Sequence, residues 1–351
     1  MTASRYTGVS SSQVTGLLDE TLREIGNEIE ELRLPKLAAV VLGGGYGRGE
    51  GGVLRTQRGE RLYNDLDFFV FSSGGARREN ERIQEELSKV SERWGKALGI
   101  AVDFSPVKKL ASLHRVSQTL MYQELLHGWV PVWGTVDLEK WIPALRPEEL
   151  PFSEAARLLL NRGMGLMLAG EYLKAGKDDA DFVVRNLNKA ILGCGDAFLL
   201  AAGQYRWRGQ ERVKAFRVFV QQRELPEEYA ASYEDAFHFK LEPVPELPDS
   251  PWERWRFCRS FFMETVCRLA GVVVDAPSRA VVAGLHRAVR KERSCMNLLR
   301  WLLRARGWRP FGMALDPPVV SVLSQLYEEI RQADNVPAYS SGLYRLWQIF
   351  N

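Results

Sequence analysis

The sequence predicts an α+β fold, in which a small mixed-sheet domain at residues 1–150 is followed by a large all-helical domain at residues 151–351. Two patterns predict this fold. The first third of the chain alternates short apolar runs, bounded by glycine or aspartate, with amphipathic segments of helical period. From Pro151 onward, long segments of helical pattern follow one another. A chain of 351 residues is long enough for two domains, each with its own core.

The first domain begins with an amphipathic helix and continues through three strands. The helix lies in "SQVTGLLDETLREIGNEIEELRL", where apolar residues recur at helical spacing. The short apolar runs "KLAAVVL", "DLDFFVF" and "IAVDFSPV" are predicted to be strands. The polar segment "RTQRGERLYN" is predicted to be a loop, and "GGARRENERIQEELSKVSERWGKALG" a turn followed by a charged helix.

The second domain is predicted to be helical throughout. Its first helices lie in "SEAARLLLNRGMGLMLAGEYLKAG" and "ADFVVRNLNKAILGCGDAFLLAAGQYR". The later segment "KLEPVPELPDSPW" is rich in proline and acidic residues, so it is predicted to connect two helical groups. This segment sets a candidate break near residues 240–252.

Composition narrows the classes of protein to consider. A formal net charge of +3 is small for this length and does not suggest a strongly electrostatic nucleic-acid binder. The four cysteines lack CxxC spacing and the four histidines are scattered, which argues against a zinc site and for a reduced, cytoplasmic chain. No apolar run approaches the ~20 residues of a membrane span, and the N-terminus lacks the apolar core of a signal peptide.

The stretch "VVLGGGYGRGEGG" at residues 40–52 contains seven glycines in ten residues. Glycine costs conformational entropy on folding, so this stretch needs a structural reason. Three interpretations compete: a flexible turn, a dinucleotide-binding fingerprint, and a cradle for the phosphates of a nucleoside triphosphate.

The phosphate cradle is the interpretation that fits best. A P-loop would end in GK[ST], which is absent. Gly47, Gly49 and Gly52 satisfy GxGxxG, but the strand ends several residues earlier, near Leu42. The acid that binds ribose should also close the second strand, whereas here the acids open it. A dehydrogenase is therefore disfavoured, and a strand, a Gly-Gly turn and a short helix remain, an arrangement suited to phosphate.

Three aspartates are predicted to lie on one face of the sheet. Asp65 and Asp67 flank Leu66 at the start of a strand, so their side chains project to one face while Leu66 enters the core. Asp103 is the single charge in another apolar strand. If these strands are neighbours, three carboxylates meet, and such a cluster needs a proton or a cation to neutralise it. Hard cations such as Mg²⁺ prefer oxygen ligands.

These motifs together resemble the DNA polymerase beta-like nucleotidyltransferase superfamily, especially its minimal and antibiotic-modifying branches. The resemblance covers roughly residues 36–107, from Gly44-Gly45 with "YGRGEG", through "NDLDFFVF", to "VDFSPV". It implies that Gly44 and Gly45 hold a triphosphate, and that Asp65, Asp67 and Asp103 are the catalytic ligands of two Mg²⁺. Many members have serine where this chain has Gly45, and the connection "VLRTQRGERLYN" is longer than usual.

The resemblance implies Mg²⁺-dependent transfer of a nucleoside monophosphate from ATP or another nucleoside triphosphate to a hydroxyl acceptor. Asp103 could in addition accept the proton of that hydroxyl. Arg48 and Lys189 are further candidates for contact with the triphosphate; Arg48 could equally be a solvated cation, and for Lys189 a surface position is the simpler interpretation.

The acceptor is left open between a small hydroxylated molecule, such as an aminoglycoside-like antibiotic, and a protein side chain. A nucleic-acid terminus is less favoured, although "HRAVRKERSCMNLLRWLLRARGWRPF" is basic with interleaved aromatics. The alternative function is that of a non-catalytic nucleotide-binding or regulatory protein on the same fold. Because all three candidate metal carboxylates are present, the enzyme is preferred.

Overall fold

The computed structural model describes residues 5–115, 118–177, 179–289, 318–333 and 341–350. The chain divides into two compact units: Met1–Arg146 with His238–Val244, and Pro147–Phe237 with Pro245–Asn351. Every described strand belongs to the first unit, and the described part of the second unit is helical. The predicted α+β class is therefore confirmed. Cys295 and the basic segment beyond Val289 lie outside the described residues.

The first unit is built on a mixed five-stranded sheet and a separate hairpin. The order in the sheet is β5-β4-β1-β7, and β6 pairs with β4 beyond the end of β5. Strand β1 is antiparallel to both of its neighbours, whereas β4 runs parallel to β5 and β6. The strands are β1 Leu37–Leu42, β2 Val53–Thr56, β3 Gly59–Leu62, β4 Leu66–Ser72, β5 Val102–Phe104, β6 Lys108–Lys109 and β7 Val130–Gly134.

Helices cover the two faces of this sheet. They are α1 Ser12–Glu31, α2 Gly44–Gly47, α3 Arg77–Leu98 and α4 Leu120–Leu126. Side chains on a strand alternate between faces, and in β4 the residues Leu66, Phe68 and Val70 pack in one cluster with α1 and α3. Phe69 and Phe71 pack in a second cluster with α4. The face that carries Phe69 and Phe71 is the one to which Asp67 also belongs.

Two features of this unit differ from the sequence prediction. The prediction that the segment "RTQRGERLYN" is a loop is wrong. The segment contains β3 and part of β2, which pair as an antiparallel hairpin. The hairpin is attached to the start of α1, where Ser11 Oγ donates to Glu60 Oε2 (2.6 Å) and Gln13 Oε1 accepts from Glu60 N (3.0 Å). Strand β7, which the sequence analysis did not assign, forms one edge of the sheet.

The second unit contains the predicted long helices. They are α5 Phe152–Lys174, α6 Ala180–Ala201, α7 Gly209–Gln222, α8 Glu227–Leu241, α9 Pro251–Ala270, α10 Ser278–Val289, α11 Pro318–Gln332 and α12 Ser341–Phe350. The last residues of α8 belong to the first unit, and no helix covers the proline-rich residues between α8 and α9. Among the described residues, none of the helices combines the length and apolar character that crossing a bilayer requires.

A half-buried charge on α6 organises the polar interior of the second unit. Asp196, which interrupts the apolar run of this helix, accepts a hydrogen bond from the hydroxyl of Tyr233 (2.5 Å) and lies 3.2 Å from Nε of Arg212. The Arg212 side chain is 6% exposed and the Asp196 side chain 16%. Arg212 also donates to the carbonyls of Arg206 and Trp207. Burial, followed by the charge of Asp196, raises the pKa of Tyr233 well above its usual value.

We expect Asp196→Ala to lower the free energy of unfolding by about 3–5 kcal/mol, because it leaves Arg212 buried without its carboxylate. The matched control is Asp181→Ala on the same helix, which removes a more exposed ion pair with Arg185 (2.6 Å) and is expected to cost less than about 1 kcal/mol. Urea denaturation of both variants measures the difference. Equal losses would contradict a special role for Asp196.

Candidate active site

The glycine-rich stretch follows β1 and packs too closely for side chains. Helix α2 is a single turn from Gly44 to Gly47, and Gly44 has a positive φ of 59°. A Cβ on Gly47 would lie 2.5 Å from the carbonyl oxygen of Leu42, and one on Gly51 would lie 2.0 Å from the ring of Tyr46. The glycines are therefore required by a tight turn and by close packing, which excludes the flexible-turn interpretation for these positions.

Hydrogen bonds join the glycine stretch to the segment that contains the aspartate pair. Gly43 N donates to the carbonyl oxygen of Asp67 (2.8 Å) at one end of the stretch. Gly52 N donates to Oδ1 of Asn64 (2.6 Å) at the other end. Between them, the buried hydroxyl of Tyr46 donates to the carbonyl of Gly52 (2.7 Å) and accepts from the backbone N–H of Tyr63 (2.9 Å).

Tyr46 and Asn64 are site-building residues that sequence reasoning did not identify. Tyr46 is completely buried, and burial raises the pKa of its hydroxyl to about 12, so the group stays protonated and can donate. Asn64 comes directly before the aspartate pair in the motif "NDLD". An asparagine at this place was a visible signal, but its partner, the backbone of Gly52, depends on the fold.

The structure brings two of the three predicted aspartates side by side. In the parallel pairing of β4 with β5, Asp67 is directly opposite Asp103. Both are exposed, while Leu66 and Val102 beside them are buried, so the two aspartates lie on one face of the sheet. Asp65 lies immediately before β4, one residue ahead of the buried Leu66. The condition that the two strands be neighbours is confirmed.

The acidic groups affect one another and the glycine turn. Although Asp103 is exposed overall, partial withdrawal of its carboxyl from water, and after it the negative charge of Asp65, raises the pKa of this carboxyl. The carboxylate of Asp67 lies against the backbone of Gly44: a Cβ built on Gly44 would lie 2.0 Å from Oδ2 of Asp67. The site therefore combines mutually repelling carboxylates with a partly exposed glycine turn, an arrangement that a cation would stabilise.

The chemistry of these donors suits a hard divalent cation, since all three are carboxylates. In the described part of the chain, however, no group of three His, Cys, Asp or Glu side chains is arranged to hold a metal ion. Metal binding by Asp65, Asp67 and Asp103 therefore stays a prediction.

Arg48 is held more firmly than a solvated cation would be. Its side chain lies largely buried at the end of α2, with Nη1 3.2 Å from Oε2 of Glu124 on α4 and Nε 4.0 Å from Oε2 of Glu50. These carboxylates orient the guanidinium beside the glycine turn. A contact between Arg48 and phosphate stays a prediction.

The other two predicted nucleotide contacts lie in different surroundings. Gly45 is the second residue of α2, and a Cβ there would come no closer than 3.4 Å to its nearest neighbour, the carbonyl oxygen of Glu50. Lys189 lies on α6 in the second unit and is half-buried. Its role in nucleotide binding also stays a prediction.

Comparison with known proteins agrees with the resemblance drawn from the motifs. Residues 22–126 match the family model described as a nucleotidyltransferase domain. The match covers under a third of the chain and includes the second half of α1, the glycine stretch, the aspartate pair and Asp103. No curated protein and no solved structure matches the chain.

Proposed function

We propose that this chain, whose residues 22–126 match the family model of a nucleotidyltransferase domain, transfers a nucleoside monophosphate from a nucleoside triphosphate to a hydroxyl group in a Mg²⁺-dependent reaction. One observation carries the proposal. Asp67 is opposite Asp103 in the parallel pairing of β4 with β5, and its carboxylate lies against Gly44 in the glycine turn. One compact unit thus contains both the carboxylates that would bind cations and the backbone groups that would bind phosphates.

The glycine turn would hold the phosphates that leave. The first N–H groups of a helical turn have no partner within the turn, and glycine lets a phosphate approach them closely. Gly44 and Gly45 would hold the β- and γ-phosphates in this way, and Arg48 would add a positive charge beside them. The hydrogen bonds from Tyr46 and to Asn64 keep this turn in place before the nucleotide binds.

The aspartates would hold divalent cations and handle the proton. Asp65, Asp67 and Asp103 would be the ligands, and bound Mg²⁺ would supply the charge neutralisation that attack on the α-phosphate needs. Asp103 accepts the proton of the acceptor hydroxyl, a role that its raised pKa supports. The acceptor oxygen forms a bond to the α-phosphorus, the bond to the bridging oxygen breaks, and pyrophosphate leaves.

The acceptor is proposed to be a small hydroxylated molecule or a hydroxyl side chain of a protein. Either could present one hydroxyl to Asp103, which is exposed on the sheet face. A nucleic-acid terminus stays the less favoured choice, because the small net charge supplies little attraction for a polyanion.

We expect one or more of ATP, GTP, CTP and UTP to raise the melting temperature of the native chain only when Mg²⁺ is present. At a ligand concentration 100 times the Kd, the stabilisation is about 2.7 kcal/mol. The double variant Asp65→Asn/Asp67→Asn should lose this response. The control Asp137→Asn removes an exposed aspartate of the same unit, paired only across one turn with Lys140, and should keep it.

A transfer assay then separates an enzyme from a binding protein. The triphosphate that stabilises the chain is supplied with a label on its α-phosphate and mixed with hydroxyl acceptors, and pyrophosphate release is followed. Transfer of the label supports the proposal. Binding without transfer to any acceptor would support the non-catalytic alternative, and stabilisation by NAD alone would overturn nucleotidyl transfer.

A further inference from the structure

A short segment from the distant part of the chain contacts the glycine stretch. Residues His238–Val244 belong to the first unit although they follow the first helices of the second. Nζ of Lys240 donates to Oε2 of Glu50 (2.7 Å). The backbone approaches as closely, since a Cβ on Gly52 would lie 2.6 Å from the carbonyl oxygen of Lys240. The ring of Phe239 meets the ring of Tyr63 edge to face at 6.0 Å.

Lys240 begins a row of alternating charges that includes Arg48, the residue that follows α2. Glu50 lies between Lys240 and Arg48, and Arg48 lies between Glu50 and Glu124. The side chains of Lys240, Arg48 and Glu50 are only 20%, 14% and 11% exposed. Charges withdrawn from water to this extent depend on their partners, so removing one leaves the next without part of its counter-charge.

Glu50 connects this row to the phosphate-binding turn itself. Its backbone N–H donates to the carbonyl oxygen of Gly45 (2.8 Å). Its side chain is held by Lys240, so the ammonium of Lys240 and the carbonyl of Gly45 are joined through one residue. A shift of Glu50 would therefore shift the turn that receives the triphosphate.

We propose that Lys240 is a positioning residue for nucleotidyl transfer, which acts through Glu50 to hold the Gly44–Gly45 turn in the conformation that binds phosphate. This inference rests on the proposed function. In this proposal Lys240 acts through the protein side of the turn rather than by direct contact with substrate or metal. Lys240 is 190 residues from Glu50 in sequence. The geometry of the turn thus depends on a distant part of the chain.

The test compares Lys240→Met with the native chain. The control variant is Lys140→Met, which removes an exposed lysine of the same unit. Lys240→Met should raise the KM for the triphosphate by about tenfold, the lower end of the losses found when residues that orient metal-ligating side chains are replaced. Lys140→Met should leave the KM unchanged. Lys240→Arg, which keeps the positive charge, should have a KM close to that of the native chain. In a Glu50→Gln background, Lys240→Met should have little further effect, because the two residues act as a unit.

The outcomes separate the two proposals. If Lys240→Met lowers the melting temperature but leaves KM unchanged, the role of Lys240 is structural and the inference is overturned. Additive effects of Glu50→Gln and Lys240→Met on KM would also overturn it. If the native chain binds no triphosphate with Mg²⁺, the proposed function fails and this inference fails with it.

Discussion

Gly44→Ala is expected to lower the affinity for the triphosphate by about tenfold or more, which corresponds to a loss of about 1.4 kcal/mol or more in binding free energy. The alanine would have to adopt a φ of 59°, which costs about 1–3 kcal/mol for a residue with a Cβ. Its Cβ would also lie 2.0 Å from Oδ2 of Asp67, so the carboxylate would have to move. The phosphate turn and the metal ligand would therefore be displaced together.

Gly45→Ala is the matched control for this prediction. The φ of Gly45 is not positive, and a Cβ there would meet its nearest neighbour at 3.4 Å, an ordinary contact. We expect this variant to keep its affinity within a few-fold, because alanine keeps the backbone N–H of residue 45 through which the phosphate would be bound. Isothermal titration with the triphosphate and Mg²⁺ measures both. Equal affinities for the two variants would show that the turn does not receive the phosphates.

The sequence predicted most of the central sheet because its signals are local. Apolar runs bounded by glycine and aspartate indicated β1, β4 and β5, and the helical period indicated α1 and α3. The hairpin was missed because most of its side chains are polar, and part of its support comes from Ser11 and Gln13 in a distant segment. No local pattern reveals that pairing.

Strand β7 was missed for a different reason. Pro131 lies inside "VPVWG", and proline argues against a central strand because it cannot donate to the ladder. The strand forms an edge of the sheet, next to β1 alone, where a proline is tolerated. The register with β1 also shifts between Val40 and Val41. Edge position and irregular pairing are properties of the assembled sheet.

In the candidate site, too, local features were predictable from the sequence and contacts between distant segments were not. Alternation along two strands predicted one face for Asp67 and Asp103, and the structure confirms their adjacency because β4 and β5 pair in parallel. The hydrogen bonds that hold the glycine turn were not predictable, since Tyr46, Asn64 and Lys240 meet it only after the chain folds. Arg48 illustrates the limit well: its position in the motif was visible, but its ion pair with Glu124 was not.

Asp103→Asn is expected to abolish transfer while leaving the metal-free protein slightly more stable. Asp103 is proposed to be both a cation ligand and the proton acceptor, and a positioned base alone contributes about 10²–10⁴-fold to the rate. Its folded pKa is raised, by burial and then by Asp65, so ionising Asp103 is less favourable in the folded than in the unfolded chain. Asparagine removes that penalty, and the gain is small because the side chain is exposed.

The sign of the pH dependence makes this prediction specific. A carboxyl whose folded pKa is raised binds more protons in the folded state, so its contribution to stability falls as the pH rises through the window above the unfolded value. Without metal, native chain and Asp103→Asn should melt together in acid, and the variant should melt higher toward neutral pH. With Mg²⁺ and triphosphate at neutral pH the order should reverse, because only the native carboxylates gain a cation. A variant that melts below the native chain under every condition would indicate a packing role for Asp103, and would remove the electrostatic argument on which the metal site depends.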